Sequence, residues 1–365
     1  MTAPAAETGT VTARFRCGRG AVDVHTDDAT LAELAKLTHP FFTSGPRAGG
    51  ERDVPEVWAT DRLPGPTAWE RLAYTSDFEP DRVLWVDHRR RRIAVVAPAS
   101  PWRTQQLLRS VRNLARWQAY ARGELFVHGG LVSIGGSGVA FLGRKRAGKT
   151  SGILSALVHA DAGFVSNDDL VLALSDGGPV TGHGFPRTVN VRTDSLLALA
   201  RARPALATLL DRVSHPANRY PGKQADEVSP VTVDGRPLPE SLWVRCAELA
   251  EATGAPIRAS HPVHTVVFPR FVAAGEPVGV DRLDATGAER LLREHTESRA
   301  VDFDPFLADW FGTGDTAARE ATTARLLKTA RFLRLRQHLD RMADATAALA
   351  DDLRAAGSGG GVSRP

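Results

Sequence analysis

Gly143-Arg144-Lys145-Arg146-Ala147-Gly148-Lys149-Thr150 fits G-x-x-x-x-G-K-[ST] at every required position, and its flanks have the order that gives the pattern meaning. Val139-Ala140-Phe141-Leu142 reads as a short buried strand and Ser151 to Ala160 as a helix. A strand, loop and helix of this kind cradle an anion. Glycine permits the tight turn that aims main-chain N–H groups inward, and the helix that follows points its positive end at the same spot. On this reading Gly143, Arg144, Lys145, Arg146, Ala147, Gly148, Lys149, Thr150 and Ser151 surround nucleotide phosphates, with Lys149 reaching the outer ones and Thr150 ligating Mg²⁺. Lysine is scarce: Lys36, Lys145, Lys149, Lys223 and Lys328 are the only examples, and two of them fall in this loop.

Outward from the loop, the next apolar strand runs from Gly163 to Leu172 and is interrupted by Asp168-Asp169, eighteen and nineteen residues after Thr150. In a doubly wound or related sheet that end of a strand faces bound phosphates. Successive strand residues point opposite ways, so one carboxylate can serve the metal while the other accepts a hydroxyl proton. A solvated turn or an ion pair is the competing reading. His128 ends Leu125-Phe126-Val127-His128, which reads as one strand with Leu131-Val132-Ser133. A lone imidazole on an apolar strand is more often a satisfied core residue than an acid or base. Further on, Thr188-Val189-Asn190-Val191 is a short strand flanked by Arg187 and Arg192, candidate clamps for phosphate oxygens, though surface arginines are common in this composition.

The remaining chain divides by composition. Residues 1–10 read as disordered, 11–100 as an N-terminal α+β lobe, 101–356 as the domain carrying the loop, and 357–365 as a flexible tail. In the lobe, Val11 to Val24 suits a pair of strands, Asp27 to Lys36 a helix, and His39 to Pro66 mostly loop. Arg89 to Arg92 falls between two apolar runs and reads as a solvated hairpin turn. Pro101-Trp102 opens a helix that Leu107, Leu108, Val111, Leu114 and Trp117 carry to about Ala121. Asp194 to Leu210 reads as a helix, Ser214 to Val231 as a long polar loop, and Thr265 to Pro269 as a strand stopped by its proline. Helices at Ala285–Glu297, Phe303–Phe311, Thr316–Thr329 and Leu339–Ala355, with a strand at Arg331–Leu335, make the C-terminal part mainly helical.

The formal charge of +4 and pI near 9.4 come from arginines spread among acids, which argues against a nucleic-acid surface. Two cysteines, Cys17 and Cys246, are too few for a disulfide scaffold or a cysteine zinc site, and no apolar run reaches membrane-spanning length. The expectation is a soluble cytoplasmic protein with no membrane or nucleic-acid partner.

The run from Phe126-Val127-His128-Gly129-Gly130 through Gly138 to Gly143 and Gly148-Lys149-Thr150, then Asn167-Asp168-Asp169, resembles the core of HPr kinase/phosphorylase and its divergent relatives. In that family a histidine sits about this far upstream of the loop, here fifteen residues, and an Asp-Asp pair ends the following strand. The resemblance implies an α/β fold, a P-loop core with a mixed sheet of the HPr kinase and PEP carboxykinase type. It also implies catalytic positions at His128, Lys149, Asp168 and Asp169, metal positions at Thr150, Asp168 and Asp169, ATP and Mg²⁺ as cofactors, and a tendency to homo-oligomers. The implied activity is phosphorylation of a hydroxyl, a serine in the parent family, on a peptide, protein or small molecule; relatives include kinases that modify biosynthetic peptide precursors. The match is close from Leu125 to Leu172. The family's metal-binding glutamate finds its counterpart in Asn190, which offers a carbonyl oxygen without charge. That departure opens the alternative of a nucleotide-binding regulator without phosphoryl transfer. A PEP carboxykinase-like enzyme is a third possibility, for which the sequence shows no carboxylate-binding arginine set.

Overall fold

A computed structural model describes residues 9–18, 20–47, 53–65, 68–76, 79–175, 177–220, 240–296, 304–312 and 314–358. The chain is mixed α/β and divides into two compact units. One holds Met1–Arg122, Tyr220–Gly222 and Arg299–Gly314, the other Gly123–Arg219, Lys223–Ser298 and Asp315–Pro365.

In the first unit β1 (Val11–Cys17) and β2 (Gly20–Thr26) pair antiparallel, with Phe15 opposite Val22 on one face and Arg14 opposite Asp23 on the other. Helix α1 (Asp28–Thr38) starts where the Asp27 side chain accepts the Thr30 N–H at 2.9 Å. β3 (Thr43–Gly45), β4 (Glu56–Thr60), β5 (Glu70–Tyr74), β6 (Arg82–Asp87) and β7 (Arg92–Val96) complete a seven-stranded sheet in the order β3-β1-β2-β4-β7-β6-β5. The arginine run does sit at the β6–β7 turn, with Arg91 at φ 52°. The region His39 to Pro66, expected as mostly loop, contains β4 at the sheet's centre, parallel to both β2 and β7. Its five residues carry only a brief alternation of buried Val57 and Ala59 with Trp58, which the surrounding Pro and Gly conceal. α2 (Pro101–Ala121) begins at its Ser100 cap and lays Leu107, Val111 and Leu114, all fully buried, against β2, β4 and β7. That packing counts α2 with the first unit, so the compact units part after Arg122 and not near residue 100.

The opposite face of this sheet is polar. Glu56 lies 2.8 Å from the Arg92 Nε and 3.5 Å from the His25 Nε2, and His25 stacks on Trp58 at 3.9 Å. Burial raises the Glu56 carboxyl, but the His25 hydrogen bond and the Arg92 charge outweigh it and bring the group from an ordinary 4.5 down to about 2. A carboxyl depressed by folding stabilises the fold fully above its unfolded value, and the contribution is lost as pH falls from 4.5 towards 2. Glu56→Gln is therefore expected to cost roughly 2 kcal/mol at neutral pH and to flatten that acid window. Trp58 fluorescence followed through an acid titration checks it; unchanged acid sensitivity would remove Glu56 from the account.

The second unit holds β8 (Leu125–Val127), β9 (Gly129–Ile134), β10 (Ser137–Leu142), α3 (Lys149–His159), β11 (Gly163–Ser166), β12 (Leu170–Ala173), β13 (Thr181–His183) and β14 (Val189–Arg192). Next come α4 (Thr193–Ala200), α5 (Leu209–Arg212), β15 (Ser241–Val244), α6 (Cys246–Thr253), β16 (Ser260–Pro262), β17 (Thr265–Phe271), β18 (Gly279–Arg282) and α7 (Ala285–Glu294). After α8 (Leu307–Phe311), which belongs to the first unit, α9 (Thr316–Thr329), β19 (Arg331–Gln337) and α10 (Met342–Ser358) complete the chain. One sheet runs β11-β9-β10-β17-β19-β18, a second β16-β13-β12-β8, and β14 pairs with β15 alone. α3 packs on β9, β10 and β17 and against α10, while β8, β12, α7 and α9 enclose a core that includes Leu131, Leu142, Leu170, Leu292 and Leu326.

Several segments differ from their sequence reading. Leu125 to Ser133 is two strands in two sheets, and so is Gly163 to Leu172. The helix expected from Asp194 to Leu210 ends at Ala200, because Pro204 cannot continue it and opens a 3₁₀ turn, Pro204–Thr208, before α5. β17 passes through Pro269 to Phe271: β10 pairs only with Thr265, Val266 and Val267, so the proline's missing N–H interrupts no ladder on that side. α7 stops at Glu294, α8 spans only Leu307–Phe311, and a 3₁₀ turn at Leu339–Arg341 precedes α10. α10 extends to Ser358, past the start of the tail expected from 357; residues 359–365 of that tail, and 221–231 of the polar loop, lie outside the described residues.

Among the described residues no helix is long and apolar enough to cross a membrane.

Candidate functional site

The loop from Gly143 to Gly148 joins the end of β10 to the start of α3. Arg146 adopts φ 67° and Gly148 φ 97°, so the chain passes twice through the left-handed region. A Cβ on Gly148 would stand 1.9 Å from the Gln337 Nε2, which donates to the Gly148 carbonyl at 3.0 Å and ties the loop to the end of β19. Lys149 is 6% exposed, and its Nζ donates to the Gly143 carbonyl at 2.8 Å and the Arg144 carbonyl at 3.1 Å. The ammonium is thus folded back across the loop mouth. The side chains of Arg144, Lys145 and Arg146 are exposed, and Ser151 is buried with its Oγ 3.1 Å from the Ser195 Oγ at the start of α4.

Strand register assembles the rest. β9 pairs with β11 through Leu131 and Ser166, and β8 pairs with β12 through Val127 and Leu170. The β9–β11 ladder shifts register between Phe164 and Ser166, and between these two ladders the crossing His128-Gly129-Gly130 runs alongside the crossing Asn167-Asp168-Asp169. On its other edge β9 ends its ladder at Gly129 paired with Leu142, the residues that follow His128 and precede Gly143. Glycine is required here: a Cβ on Gly130 would meet the Ser166 carbonyl oxygen at 2.4 Å and the Asn167 Cα at 2.9 Å.

Asp168 has φ 59°, a conformation uncommon for a residue with a side chain, and it turns the chain out of one sheet and into the other. Its carbonyl accepts from the Arg187 Nη1 at 3.3 Å. Asp169 is 2% exposed and Asp168 half-buried. Thr150 donates its hydroxyl hydrogen to the Asn167 Oδ1 at 3.1 Å, which joins the first turn of α3 to the acid-bearing turn.

Two sequence candidates are occupied otherwise. The Arg192 guanidinium is held by Asp194 at 2.8 Å and Glu240 at 2.7 Å, and these carboxylates raise it above its usual range. Asn190 lies on β14 opposite Trp243, and no described contact joins it to Thr150, Asp168 or Asp169.

No motif marks Glu294, the last residue of α7, or His295 after it as part of this site. The Glu294 carboxylate pairs with the Arg144 guanidinium, 2.7 Å from its Nε. The next residue, His295, is 8% exposed and accepts the His128 N–H on its carbonyl at 3.0 Å. Burial lowers the His295 imidazole below its usual range; Glu294 opposes this, while the charges of Lys149, His128 and Arg144 lower it further. His295 is therefore neutral at neutral pH, in electrostatic reach of both Lys149 and His128.

Among the described residues no cluster of three or more His, Cys, Asp or Glu is spaced to hold a metal ion by itself. The donors still fit magnesium beside a polyphosphate, since that ion takes one or two protein oxygens and completes its shell with phosphate and water. Thr150 has given its one hydrogen to Asn167, so its lone pairs remain to be used, and the carboxylates of the acid turn follow directly.

No family model matches the sequence, and no curated protein matches it. Among solved structures, the HPr(Ser) kinase/phosphatase from Coxiella burnetii is similar at 10% identity with a TM-score of 0.27, over 64% of this chain and 98% of that one.

Proposed function

We propose that this chain is an ATP-dependent phosphotransferase that phosphorylates a hydroxyl, a serine of a peptide or protein or a small-molecule alcohol. One observation supports the reading: the Thr150 hydroxyl, in the first turn of the helix that follows the loop, donates to the Asn167 Oδ1 in the turn that carries Asp168 and Asp169, and the crossing that holds His128 runs alongside that turn. Phosphoryl transfer needs little more than a phosphate cradle, a neutralising charge and a base for the acceptor, held together. In this reading Gly143 to Ser151 hold the triphosphate, and Lys149 leaves its loop carbonyls to donate to the outer phosphates. The acceptor oxygen bonds to the γ-phosphorus, the β–γ bridging oxygen leaves with ADP, and the hydroxyl proton passes to a carboxylate of the Asp168/Asp169 pair. Thr150 and the acid pair would hold Mg²⁺, which screens the phosphate charge when bound. His128 and His295, both near the loop, give the acceptor side imidazoles for orientation. Arg187 acts on the acid turn through the Asp168 carbonyl, and it need not touch phosphate.

Labelled ATP offered with serine peptides, free serine and candidate proteins tests this. Asp169→Asn is expected to lower transfer by about 10²- to 10⁴-fold, as loss of a general base does. Equal transfer by wild type and variant would overturn the assignment. ATP binding without transfer to any acceptor would favour the regulator that uncharged Asn190 also suits.

A further inference from the structure

Asn167 precedes the acid pair, is 3% exposed, and has one amide atom in use: its Oδ1 accepts the Thr150 hydroxyl. Its Nδ2 is buried and has no hydrogen-bond partner among the described residues. Folded proteins seldom leave a buried amide donor so, because its desolvation goes uncompensated, and such a group calls for an explanation. The main chain that carries this side chain cannot shift cheaply. Its Cα is wedged against Gly130, where even a Cβ would come within 2.9 Å, and the next residue is fixed at φ 59°.

We infer that Asn167 is a ligand-contacting residue of the phosphate site, its carboxamide N–H donating to a phosphate oxygen while its Oδ1 orients the Thr150 hydroxyl. This rests on the nucleotide-binding part of the function proposed above. The chemistry explains the residue type. A hydroxyl that donates its single hydrogen to Oδ1 keeps its lone pairs for a cation. A carboxylate at 167 would accept that hydrogen equally well, but it would add a third negative charge beside Asp168 and Asp169, where a polyphosphate must approach. The amide supplies the same acceptor, a donor for the anion, and no charge.

Calorimetry of the full-length chain with ATP, once with Mg²⁺ and once with EDTA, tests the donor separately from the effect on Thr150. Asn167→Asp keeps the acceptor and removes the donor; Asn167→Ser is smaller and uncharged and carries the same expectation should the aspartate variant fail to fold. Each is expected to weaken ATP binding about tenfold or more under both conditions, the scale of a lost hydrogen bond to a charged group, while the melting temperature without ligand stays near that of the wild type. Wild-type affinity in the folded variants would overturn the inference. So would a loss confined to the Mg²⁺ titration, which would leave Asn167 only a support for Thr150. Wild type that binds ATP yet transfers to no acceptor would defeat the kinase reading and leave this one standing; wild type that binds no ATP would defeat both.

Discussion

Replacing Lys149 with alanine is expected to lower ATP-dependent transfer by about 10²-fold or more, the usual cost of removing a charge aimed at a developing phosphate charge. The ammonium is 6% exposed and already spans the loop mouth, donating to two loop carbonyls. Moving its hydrogens from carbonyl to phosphate is a short rotation, so little reorganisation opposes the better bond. A hydrogen bond to a charged group contributes about 1.5–3 kcal/mol, and the buried position adds to the Coulombic part. Lys149→Arg is expected to fail almost as badly, because a planar fork does not fit where a compact ammonium lies between the Gly143 and Arg144 carbonyls. Stability changes less than activity, since the Gly143 and Arg144 carbonyls that lose this donor are main-chain acceptors at the loop mouth. Single-turnover transfer and calorimetric affinity measured together check this; a Lys149→Ala protein with wild-type affinity and rate would empty the loop of its assigned role.

Gly130→Ala is expected to damage the fold of the site strongly. The added Cβ would meet the Ser166 carbonyl oxygen at 2.4 Å, the Ile153 Cδ1 at 2.5 Å and the Asn167 Cα at 2.9 Å. Two of these are backbone atoms, so no rotamer change relieves the overlap, and β9 must separate from the acid turn or from α3. Overpacking of this sort costs about 3 kcal/mol. Gly135→Ala is the control. It sits at φ 54° in the β9–β10 turn with open space around it, and only the left-handed penalty of about 1 kcal/mol applies. Thermal melts of the two variants side by side decide the matter, and equal melting points would refute the close approach of Gly130 to the Ser166–Asn167 backbone.

Much of this was legible locally. The loop, the start of α3, α1 with its Asp27 cap, α2 with Ser100 and Pro101, and the β6–β7 hairpin each carry their signal within a few neighbouring residues. What stayed hidden depends on partners distant in sequence. The split of Leu125 to Ser133 between two sheets follows from which strands lie alongside, and the residues themselves form one apolar run. Arg192 reads as a phosphate clamp until Asp194 and Glu240 are found on it. Glu294 and His295 reach the loop from a helix about 150 residues away, with no motif to announce them. Asn167 was in view as part of the run before the acid pair, but its one satisfied and one unsatisfied amide atom are properties of the packed chain.

The crossing from β8 to β9 and the crossing from β11 to β12 face each other, so the second unit has a seam where neither sheet claims the main chain. Side chains along a ladder are bound by the alternation of the strand, but those at the seam answer to no such rule. Positions 128 and 167 to 169 are placed by the two crossings themselves, Asp168 by its left-handed turn and Asn167 by its packing on Gly130.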